Sequence, residues 1–111
     1  MKQLGDSLFV KFFGDYPLIR VLDFLLDERP LDYSKKEIAE KSGIGLSTLH
    51  TFWNRLEVLN IVKKTRKIDK ATLYTLNKDS KLVKELMAID NILSFELVPH
   101  PPEKEAVRVA S

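Results

Sequence analysis

The sequence predicts a mainly α-helical domain with a small β-hairpin and with additional helices at its N- and C-terminal ends. Three observations support this fold class. Residues 34–59 carry the signals of two short helices joined by a tight turn, and apolar residues recur at steps of three and four on both sides of this unit. Two runs of β-branched and apolar residues flank Asp69-Lys70, which is typical of a hairpin. A chain of 111 residues, 44% of them apolar, can form one such core but is too small for two domains.

The N-terminal residues 1–14 are predicted to form a helical extension and are a candidate dimer contact. Bulky and branched residues are frequent here, so a strand over residues 4–13 remains an alternative. The residues that carry the helical spacing are Leu4, Leu8, Phe9, Phe12 and Phe13.

A leucine-rich helix follows, with Asp15 as its predicted cap, Pro17 in its first turn and its end at Arg29-Pro30. Apolar side chains occupy nearly every face of this helix, and one core cannot cover them all. We therefore expect a partner surface, most simply that of a homodimer formed through the N-terminal and C-terminal helices. The alternative is that the N-terminal segment folds back over the other helices. Leu31 to Tyr33 can form a short extended stretch.

Residues 34–59 predict a helix-turn-helix. Ser34 and Glu37 can form a capping box, which fixes where the first helix begins. Ala39 lets the second helix approach closely, and Gly43 can take the left-handed conformation that ends the first helix. Leu49 then points into the angle between the two helices.

The second helix of this unit, residues 47–59, has two distinct faces. Its apolar side chains fall at steps of three and four and form an inward stripe: Leu49, Phe52, Trp53, Leu56 and Leu59. Core packing is therefore predicted for Trp53 rather than base stacking. The opposite side collects short polar side chains and one arginine: Ser47, Thr48, His50, Thr51, Asn54 and Arg55.

A two-stranded ribbon over residues 61–77 is predicted next, after a left-handed stop at Asn60 and with a turn from Ile68 to Ala71. Its inward face is assigned to Ile61, Leu73 and Leu76. Its outer part and tip carry the cations Lys63, Lys64, Arg66, Lys67 and Lys70.

A last helix is expected from caps at residues 77–80 to about Phe95. Its apolar stripe is Leu82, Val83, Leu86, Met87, Ile89 and Leu93. Residues 15–97 thus make up the main domain. Residues 98–111 contain three prolines and no periodic apolar pattern, so a disordered tail is predicted there.

Charge is concentrated in the middle of the chain. The net charge of the whole chain is only +2, yet residues 47–78 hold seven basic and two acidic side chains. Such a concentration indicates a polyanionic partner better than the whole-chain value does.

The order of these segments resembles the winged helix-turn-helix transcriptional regulators, especially small archaeal members. The phrases GDYPLIRVLDFLL, SKKEIAEKSGI and KIDKATLYTLN carry this resemblance, which covers roughly residues 14–95. It implies that helix 47–59 lies in a DNA major groove and that the hairpin, the wing of such folds, reaches the backbone or the adjacent minor groove, usually from a two-fold dimer.

Elementary chemistry agrees with this expectation. The polar side chains of helix 47–59 match the donors and acceptors that bases display in the major groove, and the wing cations can neutralise phosphates. Sequence-specific binding of double-stranded DNA by a homodimeric transcriptional regulator is therefore the leading hypothesis. The alternative is a winged-helix module for protein–protein interaction that binds no DNA. The surplus of apolar helix faces motivates this alternative, and the basic face would then serve an acidic partner or solubility.

Other functions find little support in the sequence. There is no cysteine, and the two histidines, His50 and His100, do not form a metal-ligand pattern. No phosphate loop, nucleophile elbow or paired carboxylates in an apolar context appear, and Asp23 and Asp27 are expected to lie on a solvated helix face. We therefore expect no catalysis, no cofactor and no metal. No apolar run is long enough for a membrane span, and a cytoplasmic location is expected.

Overall fold

Helices and one small sheet make up the part of the chain that the computed structural model describes, residues 7–96. The predicted tail and the first six residues lie outside this range. The elements are α1 (Leu8–Phe13), α2 (Pro17–Glu28), β1 (Tyr33–Ser34), α3 (Lys35–Ser42), α4 (Leu46–Val58), β2 (Val62–Ile68), β3 (Ala71–Leu76), α5 (Lys81–Asn91) and a π-helical turn (Ile92–Glu96). None of the helices in residues 7–96 is long and apolar enough to cross a membrane.

The N-terminal segment is helical where it is described. Ser7 caps α1, because its hydroxyl accepts from the amides of Phe9 and Val10, and both of these side chains are 1% exposed. The Ser7 hydroxyl also donates to Asp23 Oδ1 at 2.9 Å, which joins α1 to α2. The expectation that Asp23 is solvated is wrong: its side chain is buried, since α1 folds back over α2. Asp27 is exposed, as expected.

The start of α2 also differs from the prediction. Tyr16, not Asp15, is the N-cap residue, and Tyr16 makes no side-chain cap bond. The Asp15 carboxylate instead accepts from Arg20 Nε at 2.5 Å and from Arg20 Nη2 at 3.1 Å. Pro17 occupies the first helical position as expected, and the helix ends at Glu28, just before Arg29-Pro30.

The sheet has three strands, whereas the sequence predicted two. The strand order is β1-β3-β2, and all pairs are antiparallel. The two residues of β1 pair with β3, Tyr33 opposite Tyr74 and Ser34 opposite Leu73. Strand β3 is the central strand, and its four consecutive residues 73–76 are buried. A two-residue strand is too short to show alternation, so the sequence pattern predicts only an extended stretch here.

The core lies between α2, α3, α4 and the sheet, with α1 and the π-helical turn closing one end. Most residues assigned to the inward stripes are buried there, including Leu49, Phe52, Trp53, Leu56 and Val83. Leu82 and Leu59 are exceptions at 43% and 51% exposed. Leu59 follows the last residue of α4. Three further residues of the predicted α5 stripe are only partly buried: Leu86, Met87 and Ile89.

Candidate nucleic-acid interface

The α3–α4 turn has the geometry that the sequence predicted. At the start of α3, both bonds of the capping box are present: the Ser34 hydroxyl accepts from the Glu37 amide at 3.2 Å, and the Glu37 carboxylate accepts from the Ser34 amide at 2.9 Å. At its end, Gly43 is left-handed with φ 74°. The side chain of Arg20 donates to the Gly43 carbonyl at 3.1 Å, so α2 holds the turn in place.

One face of α4 fixes this helix in the core. Leu49 is 0% exposed, Leu56 1%, Trp53 3% and Phe52 6%. The Trp53 ring packs edge-on against Tyr74 of β3 at 5.0 Å between centroids, and the Lys35 ammonium lies 5.4 Å from the Trp53 ring centre. Core packing of Trp53 is therefore confirmed. The sequence pattern did not reveal the contact with Lys35, which joins the start of α3 to α4.

The opposite face of α4 is exposed and carries the predicted reading residues. Ser47, His50, Thr51, Asn54 and Arg55 are exposed, while Thr48 is partly buried. The Thr51 hydroxyl donates to the Thr48 carbonyl at 2.6 Å, so it can only accept from a further partner. The helix has 13 residues and is thus about 20 Å long. This helix begins and ends one residue earlier than predicted.

The wing consists of β2 and β3 and their two-residue turn. Asp69 in the turn is left-handed with φ 54°, and Ile68 pairs with Ala71, as the sequence predicted. The register shifts between Lys64 and Arg66, which leaves Thr65 as the extra residue of a β-bulge. Residues 63–68 of β2 are all exposed.

The five predicted wing cations are all exposed, but they differ in their ionic partners. Lys64, Lys67 and Lys70 form no ion pair within residues 7–95, whereas Lys63 Nζ lies 3.8 Å from Asp79. Arg66 forms a two-pronged pair with Asp32, from Nε to Oδ2 at 3.0 Å and from Nη2 to Oδ1 at 3.2 Å.

The Asp32–Arg66 contact shifts the titration of both groups. The hydrogen bonds from Arg66 and then from Thr65 hold the pKa of Asp32 below its usual range, and the Asp32 carboxylate raises the pKa of Arg66. Asp32 is one of the residues that the sequence reasoning missed. It lies 34 positions before Arg66, and no local spacing links residues so far apart.

Arg66 borders an open groove between the wing tip and the start of α3. The groove has a volume of about 700 Å³, and its charged lining residues are Asp32, Glu37, Arg66, Asp69 and Lys70. Three of these are acids and two are bases. No group of three or more metal-binding side chains occurs among the residues that the structure describes.

Several solved structures have a fold similar to that of this chain. MepR, a transcription regulator of the Staphylococcus aureus multidrug efflux pump MepA, matches with a TM-score of 0.57 at 16% identity, over 91% of this chain and 77% of MepR. Reduced AbfR bound to DNA matches with a TM-score of 0.55 at 20% identity, over 95% of this chain and 74% of AbfR.

A third match is the homodimeric winged helix-turn-helix DNA-binding domain of a possible ArsR-family regulator from Mycobacterium bovis. Its TM-score is 0.52 at 15% identity, over 86% of this chain and 87% of that domain. The chain has the winged helix-turn-helix fold. No protein-family model matches the sequence, and no curated protein does.

Proposed function

We propose that this protein binds double-stranded DNA sequence-specifically and regulates transcription as a homodimer, with helix 47–59 in the major groove and wing 61–77 on the backbone or in the minor groove. The observation that carries the proposal is the two-faced α4: four side chains on its inner face are buried, and its outer face presents polar groups to solvent. A B-DNA major groove admits one such helix.

The helix and the wing have different proposed roles, because their exposed side chains differ. Ser47, Thr48, His50, Thr51, Asn54 and Arg55 are the proposed base readers. The phosphate contacts fall chiefly to Lys64, Lys67 and Lys70, since Lys63 and Arg66 lie beside carboxylates. The fold shared with regulators, one of them bound to DNA, supports this proposal. The narrower resemblance to small archaeal members finds no support among these structures, two of which come from Staphylococcus aureus and Mycobacterium bovis.

The test is a titration of duplex DNA at several salt concentrations. The triple variant Lys64→Ala, Lys67→Ala, Lys70→Ala should bind all sequences more weakly. The slope of log affinity against log salt should become shallower by about 3, because each phosphate contact contributes about 0.9. The control replaces three exposed lysines that follow the wing, before α5 and in its first turn: Lys78, Lys81 and Lys84.

Absence of duplex binding at low salt, or equal slopes for the triple variant and its control, would overturn the proposal. A stoichiometric protein partner together with no DNA affinity would instead favour the protein-interaction module.

The dimer is proposed to form through the N- and C-terminal helices. Phe12 of α1 is 69% exposed, and Phe13 is 36% exposed. Phe95 of the π-helical turn, which packs against α1, is 63% exposed, and Ile92 is 46% exposed. We call these four side chains the terminal patch. Clustered apolar exposure of this kind is typical of a surface that a partner covers. The homodimeric state of the Mycobacterium bovis domain supports a second copy as that partner.

Sedimentation of the Phe12→Ser, Phe95→Ser double variant tests this dimer. The double variant should shift from dimer towards monomer, while Leu31→Ser, at a comparably exposed site between α2 and β1, should leave the dimer intact. A monomeric wild-type protein at micromolar concentration would contradict the proposed homodimer.

A further inference from the structure

The contact between Asp32 and the wing joins two parts of the molecule that the strand ladder does not join directly. Asp32 lies in the connection between α2 and β1, and β1 pairs with β3, not with β2. Asp32 nevertheless contacts β2: its Oδ2 accepts from Thr65 Oγ1 at 2.5 Å and from Arg66 Nε at 3.0 Å, and its Oδ1 accepts from Arg66 Nη2 at 3.2 Å. The carboxylate thus reaches past β3 to the edge strand.

The location of these bonds along β2 is informative. Thr65 is the bulge residue, where the register between β2 and β3 shifts and the ladder is locally interrupted. The Thr65 hydroxyl also lies 3.3 Å from the Leu73 carbonyl on β3. The bonds that Asp32 accepts from Thr65 and Arg66 therefore support the wing where the ladder between β2 and β3 is interrupted.

The surroundings of Arg66 argue against its use as a phosphate ligand. Asp32, Glu37 and Asp69 line the same groove as Arg66 and Lys70. Of these two cations, Arg66 is the one that is already paired with a carboxylate of the groove, so binding a phosphate would cost it this contact. The Asp32 side chain is only 17% exposed beneath a guanidinium that is 62% exposed, and both oxygens of the carboxylate are engaged by the wing. Two N–H···O bonds between a planar guanidinium and a carboxylate fix the relative orientation of the two side chains, in addition to pairing their charges.

We infer that Asp32 is a positioning residue, and that its bonds with Arg66 and Thr65, which we call the clamp, hold the wing in its DNA-binding orientation. Arg66 belongs to this clamp and does not contact phosphate. The DNA part of this inference rests on the proposed function. The clamp itself is a property of the free protein and can be tested without DNA.

Hydrogen exchange of the free protein is the first test. Asp32→Asn and Arg66→Ala should each speed amide exchange in residues 63–72, while exchange in α4 stays unchanged. The exchanged-charge pair Asp32→Arg, Arg66→Asp should restore part of the protection. Asp69→Asn is the matched control: it removes a neighbouring acid from the wing turn, where asparagine also tolerates positive φ. Unchanged exchange in Asp32→Asn would overturn the clamp, whatever the protein binds.

DNA affinity is the second test. Asp32→Asn and Arg66→Ala should each weaken binding about two- to fivefold, in the range expected for an exposed pair. The double variant should be no weaker than either single variant, because both remove one contact. The salt slope should stay unchanged. A salt slope that becomes shallower by about 1 in Arg66→Ala would show that Arg66 contacts phosphate in the wild-type protein. Unweakened or tighter binding in Asp32→Asn would show that Asp32 does not position the wing for DNA, and either result would overturn the inference. Failure of all variants and the wild-type protein to bind DNA would refute the proposed function and leave the exchange test standing.

Discussion

Helix α4 and the wing expose different chemistry and are held by different means. The inner face of α4 is fixed by four apolar side chains that are 0 to 6% exposed, and its outer face carries a single firmly basic residue, Arg55. The β2 strand of the wing buries only its first residue, Val62, and carries most of the cations. A rigid element is suited to reading base edges, because base hydrogen bonds require fixed geometry. A charged hairpin is suited to phosphates, which attract it over a longer range.

The first and largest expected effect is on the free energy of unfolding, which should depend on the buried side chains of α4 and not on the exposed side chains of the wing. Leu49→Ala should lower the free energy of unfolding by about 2–5 kcal/mol, because the side chain is fully buried and its removal leaves a cavity. Lys67→Ala, on the exposed wing, should change the same quantity by less than about 0.5 kcal/mol. Urea unfolding followed by circular dichroism gives both values.

Similar losses in the two variants would contradict the contrast between a core-held helix and a surface hairpin. An unchanged slope of free energy against urea would show that both variants unfold from comparably compact states.

Periodicity in the sequence located the faces of the helices but not the partners of the carboxylates. The inward stripe of α4, the capping box at Ser34 and the turn at Asp69 were all predictable, because each depends on residues within a few positions. Asp23 and Asp32 are different. Their hydrogen-bond partners, Ser7 and Arg66, lie 16 and 34 positions away, and only the tertiary fold brings these pairs together.

Asp15 and β1 show two further limits of local reasoning. Asp15 has the side chain of a good N-cap, but Arg20 competes for it, and a two-pronged ion pair uses both of its oxygens. Strand β1 has only two residues, and it is recognised as a strand by its pairing with β3, because its own sequence is too short to show a pattern. The sequence therefore predicted which side of α4 is exposed but not the contacts that support the wing.

The second prediction tests whether base reading belongs to the helix. Asn54→Ala should weaken binding to the preferred sequence by about 1–3 kcal/mol and should leave binding to unrelated duplexes nearly unchanged. Lys67→Ala should weaken both by a similar factor. Competition titrations with the preferred and a scrambled duplex at one salt concentration measure the two effects. Equal losses on both duplexes in Asn54→Ala would remove Asn54 from the base readers.

The third prediction concerns the helix that supports α4. Ser34→Ala should lower the free energy of unfolding by about 1 kcal/mol, because the Glu37 amide at the start of α3 loses its side-chain acceptor. Ser47→Ala is a matched control in the first turn of α4, where no side-chain cap bond exists. A loss in Ser47→Ala as large as that in Ser34→Ala would contradict the importance of the capping box.

The smallest expected effect is confined to the wing and depends on pH. The pKa of Asp32 in the folded protein is lowered from its ordinary value of 3.8, chiefly by the hydrogen bond from Arg66. A lowered carboxyl pKa stabilises the folded wing at pH above 3.8, and this contribution is lost as the pH falls through the folded-state pKa. The amide signals of Thr65 and Arg66 should therefore hold constant from neutral pH to about pH 5 and change only in more acidic solution. Asp32→Asn should abolish that change while leaving the α4 signals as they are in the wild type. A wing transition that persists in Asp32→Asn would mean that another group controls it, and the difference between the two elements would then lie in their packing alone.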